Sequence, residues 1–372
     1  MNRKYLLFYI SKYSGHFQAA KAIEKALLKV DDKAKIKMIN AFDYTNPILG
    51  RIITKTYLHV IRNRPEIWAN VYDNPGVLEK IRKAREFLHT YNRRKIKTLI
   101  EDFAPDTIYC TQAFPCGMVA DYKKTFGKSI TLVAVLTDHA PHSYWIFDEV
   151  DIFVTPSRET ARILEEKGVS PRKIRVYGIP VNPVFGEKLD KENIRAEYGI
   201  SPDRRTILIM GGSQGLGAVE NAVKSILGDK THNYQIMVVT GINKKLYNRL
   251  QRMVPGTNSS IKLFSYVEHI DKLMAISDII ITKAGGITTA EALAKGLPIL
   301  VVNPIPGQER MNTDHLVSEG AAIEAKDHRD IYRVITDIFE SKDTLARMRD
   351  NSKRLAMPDS ALKIAELGIR GV

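Results

Sequence analysis

Four short groupings in this 372-residue chain put chemically capable side chains directly after apolar runs. In "TKAGGITTAEALAKGLPIL", residues 282–300, a β-type run (Asp278–Ile281) gives way to Gly285 and Gly286. Thr288, Thr289 and Glu291 follow, opening a helix. A helix beginning just after a strand leaves unpaired N–H groups at the positive end of its dipole, which suits an anion. Gly285 and Gly286 let a phosphate reach the main chain. Thr288 and Thr289 can cap the helix or donate to phosphate oxygens. Glu291 sits one turn in, where it can accept from ribose hydroxyls or simply favour the dipole.

The second grouping, "ILIMGGSQGLGAVENAV" (207–223), repeats strand, glycine turn and helix, with Gly211, Gly212 and Ser213 able to cradle phosphate. It is not the dinucleotide fingerprint, since Glu220 stands where the third glycine belongs, and no Gly-x4-Gly-Lys-Ser/Thr occurs anywhere. The third, "NPIPGQERMNTDH" (303–315), gathers Gln308, Glu309, Asn312 and Asp314 after the strand Ile299–Val302. Amides and carboxylates suit sugar hydroxyls, and open α/β sheets bind ligands beyond their strand ends. The fourth lies in the first half. Gly15-His16 follows a strand, with His16 a base, a phosphate donor or a structural cap. Asp138, His139 and His142 end another strand. They lack a third clustered ligand, so no metal is expected there.

Elements that position these groups alternate. Leu6–Ile10 precedes a helix from about Phe17 to Val30. Ile130–Leu136, Val150–Thr155 and Ile174–Tyr177 are strands, with a helix Arg158–Lys167. The pattern restarts with strand Thr206–Met210, helix Ala218–Ile226, strand Gln235–Thr240 and helix Lys244–Arg252. Asp278–Ile281, Thr288–Lys295 and Ile299–Val302 add strand, helix and strand. Such alternation predicts parallel sheets with helices on both faces, in two doubly wound domains. Length agrees, since one core rarely grows past about 250–300 residues. A Pro-, Gly- and charge-rich stretch at 178–205 reads as the linker.

The net charge is +14 and uneven: residues 1–180 hold 30 Lys and Arg against 19 Asp and Glu. A basic first half suits an anionic partner. Residues 48–100 depart from the alternation, with helical stretches in which Arg51, Lys55, Arg62 and Arg64 mix with Ile52, Tyr57, Leu58 and Trp68. Helices of this kind lie on anionic membranes or pack in a core. No apolar run reaches a membrane span, no signal peptide is expected, and two cysteines make no disulfide framework or metal motif. The expected location is inside the cell.

Together, Ser14-Gly15-His16, Gly211-Gly212-Ser213, Thr282-Lys283-Ala284-Gly285-Gly286 through Glu291, and Pro306-Gly307-Gln308-Glu309 with Asn312 resemble glycosyltransferase family 28 over nearly the whole chain. The chain is most similar to diacylglycerol glycosyltransferases and monogalactosyldiacylglycerol synthases, and more distantly to the GlcNAc transferase of lipid II synthesis. The resemblance implies the α/β GT-B fold: two doubly wound Rossmann-like domains facing across a cleft. Residues 1–180 would bind the lipid acceptor and membrane, and 181–372 the UDP-sugar, with the last helix able to pack back on the first domain.

The resemblance further implies Glu291 on the ribose, Gly285–Thr289 on the diphosphate, Gln308 and Glu309 on the sugar, and Phe264–Val267 on the uracil. Gly15, Arg51, Lys55, Arg62, Arg64 and Trp68 would serve the acceptor and membrane. Asp138 would be the base, with His16 its rival. The substrates implied are UDP-glucose or UDP-galactose and diacylglycerol, at an anionic phospholipid surface on the cytoplasmic face of the membrane. No cofactor or metal is expected, since no Asp-x-Asp motif occurs, and no nucleic acid, since RNA-type aromatic motifs are absent. Two departures stand out. Tyr13-Ser14 precedes Gly-His where relatives often carry Gly-Gly or Thr-Gly, and Ala284-Gly285-Gly286-Ile287 replaces Ala-Gly-Pro-Gly. Alternatives are lipid II-type GlcNAc transfer, UDP-GlcNAc epimerisation, or a basic binding module without catalysis.

Overall fold

A computed structural model describes residues 3–48, 50–52, 56, 92–228, 234–254 and 260–370. The chain forms two compact units. One comprises Met1–Pro183 with Pro306–Gln308 and Asp359–Val372; the other comprises Val184–Ile305 with Glu309–Pro358.

The first unit holds strands β1 (Lys4–Tyr9), β2 (Lys35–Asn40), β3 (Thr107–Cys110), β4 (Thr131–Val135), β5 (Ile152–Thr155) and β6 (Ile174–Val176). They form one parallel sheet in the order β2-β1-β3-β4-β5-β6. Successive side chains of a strand point to opposite faces. Leu6 and Phe8 accordingly enter one core with Ile96, Ile100, Cys116 and Leu164. Tyr5, Leu7 and Tyr9 enter another with Ala20, Ile23 and Leu27. The helix Gly15–Val30 starts where the Ser14 hydroxyl accepts from Phe17 N, and its alanine-rich face is buried. The helix Ser360–Arg370 packs on the same face, and Tyr109 Oη donates to the carbonyls of Ile364 and Ala365.

The second unit holds β7 (Thr206–Met210), β8 (Gln235–Val239), β9 (Ser260–Phe264), β10 (Ile279–Thr282), β11 (Ile299–Val302) and β12 (Ala322–Ala325). Their order is β12-β11-β10-β7-β8-β9, again all parallel. The chain winds outward from β7 in one direction, then restarts at β10 on its other side. Between β7 and β10 lies the topological switch point, where helices depart to opposite faces and leave a crevice at the strand ends.

Four strands go unseen in the sequence pattern: β2, β3, β9 and β12. Three of them are sheet edges. An edge strand carries polar residues, as in "KIKMIN" of β2, and loses the continuous apolar run of a buried parallel strand. The stretch 178–205 is more than a linker, for it contains the helix Lys191–Tyr198, capped by the Asp190 carboxylate. The helix expected from Thr288 starts two residues earlier, at Gly286.

Candidate functional site

In the second unit the two glycine turns follow β7 and β10, the strands that flank the switch point. The first turn closes tightly, with Leu216 N donating to Gly211 O at 2.9 Å and Gly215 N to Gly212 O at 3.1 Å. A Cβ on Gly211 would lie 2.0 Å from the Leu216 carbonyl oxygen, so only glycine fits. The neighbouring loop braces the turn: Ile242 N donates to Ser213 O at 2.9 Å.

The second turn leads into the helix Gly286–Ala294. Its N-cap, Gly285, has no side chain to spend on the first amides. Those amides are open to an external acceptor. Thr289 is buried, and its hydroxyl donates to the carbonyls of Gly285 and Gly286 at 3.2 and 3.0 Å. That hydroxyl proton turns inward, and Thr288 is the more exposed of the two. Asn312 is fully buried, and its Nδ2 donates to Ala284 O at 3.0 Å. Through that bond it ties the helix Gln308–Ser318 to the turn after β10.

Glu291 is half-buried and makes no side-chain hydrogen bond among the described residues. Burial, and then the charge of nearby Asp271, push its carboxyl up to about 8. At pH 7 it is largely protonated. Hydroxyl donors from a ribose would favour the carboxylate, so binding would release a proton. If Glu291 meets the ribose of UDP, as the resemblance implies, UDP affinity is expected to rise between pH 7 and 9. Glu291→Gln should flatten that rise, as read by calorimetry in buffers of different ionisation enthalpy. An unchanged pH profile in Glu291→Gln would remove Glu291 from the ribose.

Glu309 is buried, and each of its oxygens has a partner. One oxygen pairs with the Lys283 ammonium, and the other accepts from Ile305 N at 3.0 Å. Gln308 opens the helix Gln308–Ser318 and is partly exposed. Phe264 ends β9. Its carbonyl accepts from both Thr240 N and Thr240 Oγ1, and its ring meets Tyr198 edge-on. Val267 lies three residues on, partly buried.

In the first unit the switch point falls between β1 and β3. His16, just past β1, places Nδ1 2.7 Å from the carbonyl oxygen of Thr111, just past β3. A carbonyl only accepts, so Nδ1 carries the proton and Nε2 keeps the lone pair. Thr137 Oγ1 lies 3.2 Å from the same Nδ1 and donates to Asp138 Oδ2 at 3.5 Å. Burial holds the imidazole below the ordinary histidine range, and the Asp138 charge and Thr111 carbonyl offset this in part. A neutral imidazole and a partly buried carboxylate thus share one strand-end cluster. Gly15 is exposed beside them.

Sequence reasoning passed over Lys283, Thr111 and Thr137. Lys283 lies inside a quoted motif, and its signal is a lone cation between a strand end and a glycine pair. Of the residues expected to serve the acceptor and membrane, Arg51 is exposed on a helical stretch with Ile48 and Ile52, which are 73% and 56% exposed. Lys55, Arg62, Arg64 and Trp68 lie outside the described residues. No helix among the described residues is long and apolar enough to cross a membrane. Those residues also gather no group of three or more His, Cys, Asp or Glu that could hold a metal ion.

Residues 16–181 match the family of monogalactosyldiacylglycerol (MGDG) synthase, and residues 206–364 the glycosyltransferase family 28 C-terminal domain. The chain is 30% identical to the processive diacylglycerol beta-glucosyltransferase of Bacillus subtilis, over 98% of this chain and 94% of that one. It is 31% identical, with the same coverage, to the enzyme of that name from Bacillus pumilus. In three dimensions it resembles Acinetobacter baumannii MurG, with a TM-score of 0.67 at 14% identity, covering 99% of this chain and all of that one. Anabaena HepE in complex with UDP-glucose aligns with a TM-score of 0.57 at 13% identity, covering 99% and 100%. The structural likenesses establish the GT-B fold.

Proposed function

Because the chain belongs to glycosyltransferase family 28, among the diacylglycerol glycosyltransferases and their MGDG synthase-like relatives, we propose that it moves a hexose from a UDP-sugar to the free hydroxyl of 1,2-diacylglycerol, giving a β-glycosyldiacylglycerol. Full-length relatives named as glucosyltransferases favour glucose over galactose. The observation that carries the donor half is the pair of glycine turns at the β7–β10 switch point, beside an uncapped helix N-terminus.

The second unit would hold UDP. Amides at Gly286 and the Gly211–Ser213 loop take the diphosphate, Glu291 the ribose, the Phe264–Val267 segment the uracil, and Gln308 the sugar. The first unit would hold the lipid, with Asp138 as base and His16 beside it. The acceptor oxygen attacks C1 as Asp138 takes its proton, and the diphosphate leaves from the opposite side, inverting the centre. Preorganised amides aimed at the departing charge lower the barrier without reorganising. On this reading the reaction needs no metal, and UDP binding should survive a chelator unchanged. A full loss of UDP binding in EDTA, restored by a divalent cation, would reverse that.

The protein would work peripherally, on the cytoplasmic face of the membrane, through its basic first half. Each Lys or Arg near an anionic bilayer contributes about 1 kcal/mol. Arg51, Lys55, Arg62 and Arg64 thus set an upper limit of about 4 kcal/mol. In vesicle sedimentation, binding should rise with anionic lipid and fall with salt. It should drop in the quadruple Glu variant, with UDP affinity unchanged. Equal binding of variant and wild type would show that this face does not dock.

A further inference from the structure

We propose that Lys283 is the cation that receives the leaving diphosphate, and that Glu309 is the positioning residue that holds it there. The proposal rests on the donor-site reading above and adds to it a residue which that reading leaves unused.

Lys283 follows β10 directly, at the switch point. Its side chain is only 17% exposed, and its ammonium pairs with the Glu309 carboxylate, itself 11% exposed. The ammonium nitrogen stands 3.4 Å from where a Cβ on Gly285 would be. The stem passes 4.0 and 3.7 Å from the equivalent points on Gly212 and Gly217. One lysine therefore lies against both glycine turns, over the ground assigned to the diphosphate. The glycines leave room there for a ligand and for the lysine together.

Glu309 has no freedom to wander. Its second oxygen is fixed by Ile305 N, and its own helix is tied to the β10 turn through Asn312 and Ala284 O. An ammonium has three donors. Glu309 engages it from one side, which leaves donors to point at phosphate oxygens. A buried cation without a partner would be costly, so the carboxylate keeps the charge in place before substrate arrives.

The acceptor hydroxyl oxygen bonds to C1. The bond from C1 to the diphosphate oxygen breaks, its electron pair leaving on UDP, and the hydroxyl proton passes to the base. UDP thereby gains one negative charge, and Lys283 stands where that charge appears. Removing a preorganised donor from a developing anion costs roughly a hundred- to a thousandfold in turnover.

The test compares wild type, K283Q, and the charge-neutral double variant K283M/E309Q, titrated calorimetrically with UDP and with uridine. K283Q keeps an amide donor for Glu309 and so preserves the local fold, while the double variant removes both buried charges at once. Both variants should bind UDP at least about tenfold more weakly and uridine as before, and turnover should fall about a hundredfold or more. A double variant that binds UDP and turns over like wild type would overturn the proposal, reducing the pair to a structural brace. Equal UDP affinity in wild type and K283Q would also overturn it. A wild-type protein that binds no UDP would fail differently: the donor-site reading would fall first, and this role with it.

Discussion

Replacing Asp138 by asparagine is expected to cut turnover at least about a hundredfold while leaving UDP affinity intact, because general-base help contributes roughly 10²–10⁴-fold. The change keeps the size of the side chain and removes its basicity. Asp138 belongs to the first unit and accepts from Thr137. The groups assigned to UDP belong to the second unit, apart from Gln308. The rival is His16, whose bare Nε2 could also take a proton, since Nδ1–H is spent on Thr111. The two assignments separate cleanly. Near-normal turnover in Asp138→Asn, with a dead His16→Ala, would move the role to the histidine. An inactive Asp138→Asn with an active His16→Ala is the result expected here, and it keeps the role at Asp138. Single-turnover measurement at saturating UDP-hexose gives the number without interference from product release.

A second large effect is expected at Gly211. An alanine Cβ there meets the Leu216 carbonyl oxygen at 2.0 Å and the Leu216 nitrogen at 2.6 Å. Both are backbone atoms, so no side-chain rotation relieves the clash, and the turn must open. Overpacking of this kind costs about 1–3 kcal/mol. For a domain of this size that lowers Tm by roughly 2–4 °C per kcal/mol. UDP affinity should fall with it, because the Gly211–Ser213 amides lose their alignment. Gly285→Ala is the comparison. Its Cβ meets only the Lys283 ammonium, at 3.4 Å, so the fold should be kept and any loss confined to UDP binding. Calorimetric melting together with UDP titration distinguishes the two. An unchanged Tm and unchanged UDP affinity in Gly211→Ala would mean that the turn does not carry the phosphate.

The two glycine turns of the candidate site were legible because their signal is local. Strand, glycines and helix start follow one another within about ten residues at both turns, and buried parallel strands read as unbroken apolar runs. What escaped depends on distant parts meeting. Lys283 gains its meaning only because β10 inserts beside β7, pairing Thr282 with Met210 and bringing two glycine turns to one crevice. His16 and Thr111 lie 95 residues apart and touch only because β1 pairs with β3. Thr289 and Asn312 are buried and donate to the backbone of the turn, contacts set by which helix face meets the sheet and not readable from residue type. The edge strands β2, β9 and β12 were hidden by the polar residues that an edge tolerates.

The most direct measurement is a transfer assay on the intact protein. UDP-glucose, UDP-galactose and UDP-GlcNAc would each be offered with diacylglycerol in anionic vesicles, and with a polyprenyl diphosphate-linked sugar as the competing acceptor. Products are read by mass and by the anomeric coupling in proton NMR. The expected result is diacylglycerol carrying hexose in β linkage, from UDP-glucose or UDP-galactose, lost in Asp138→Asn. Transfer of GlcNAc to the polyprenyl-linked acceptor, or UDP-GlcNAc converted to its epimer with diacylglycerol untouched, would contradict it.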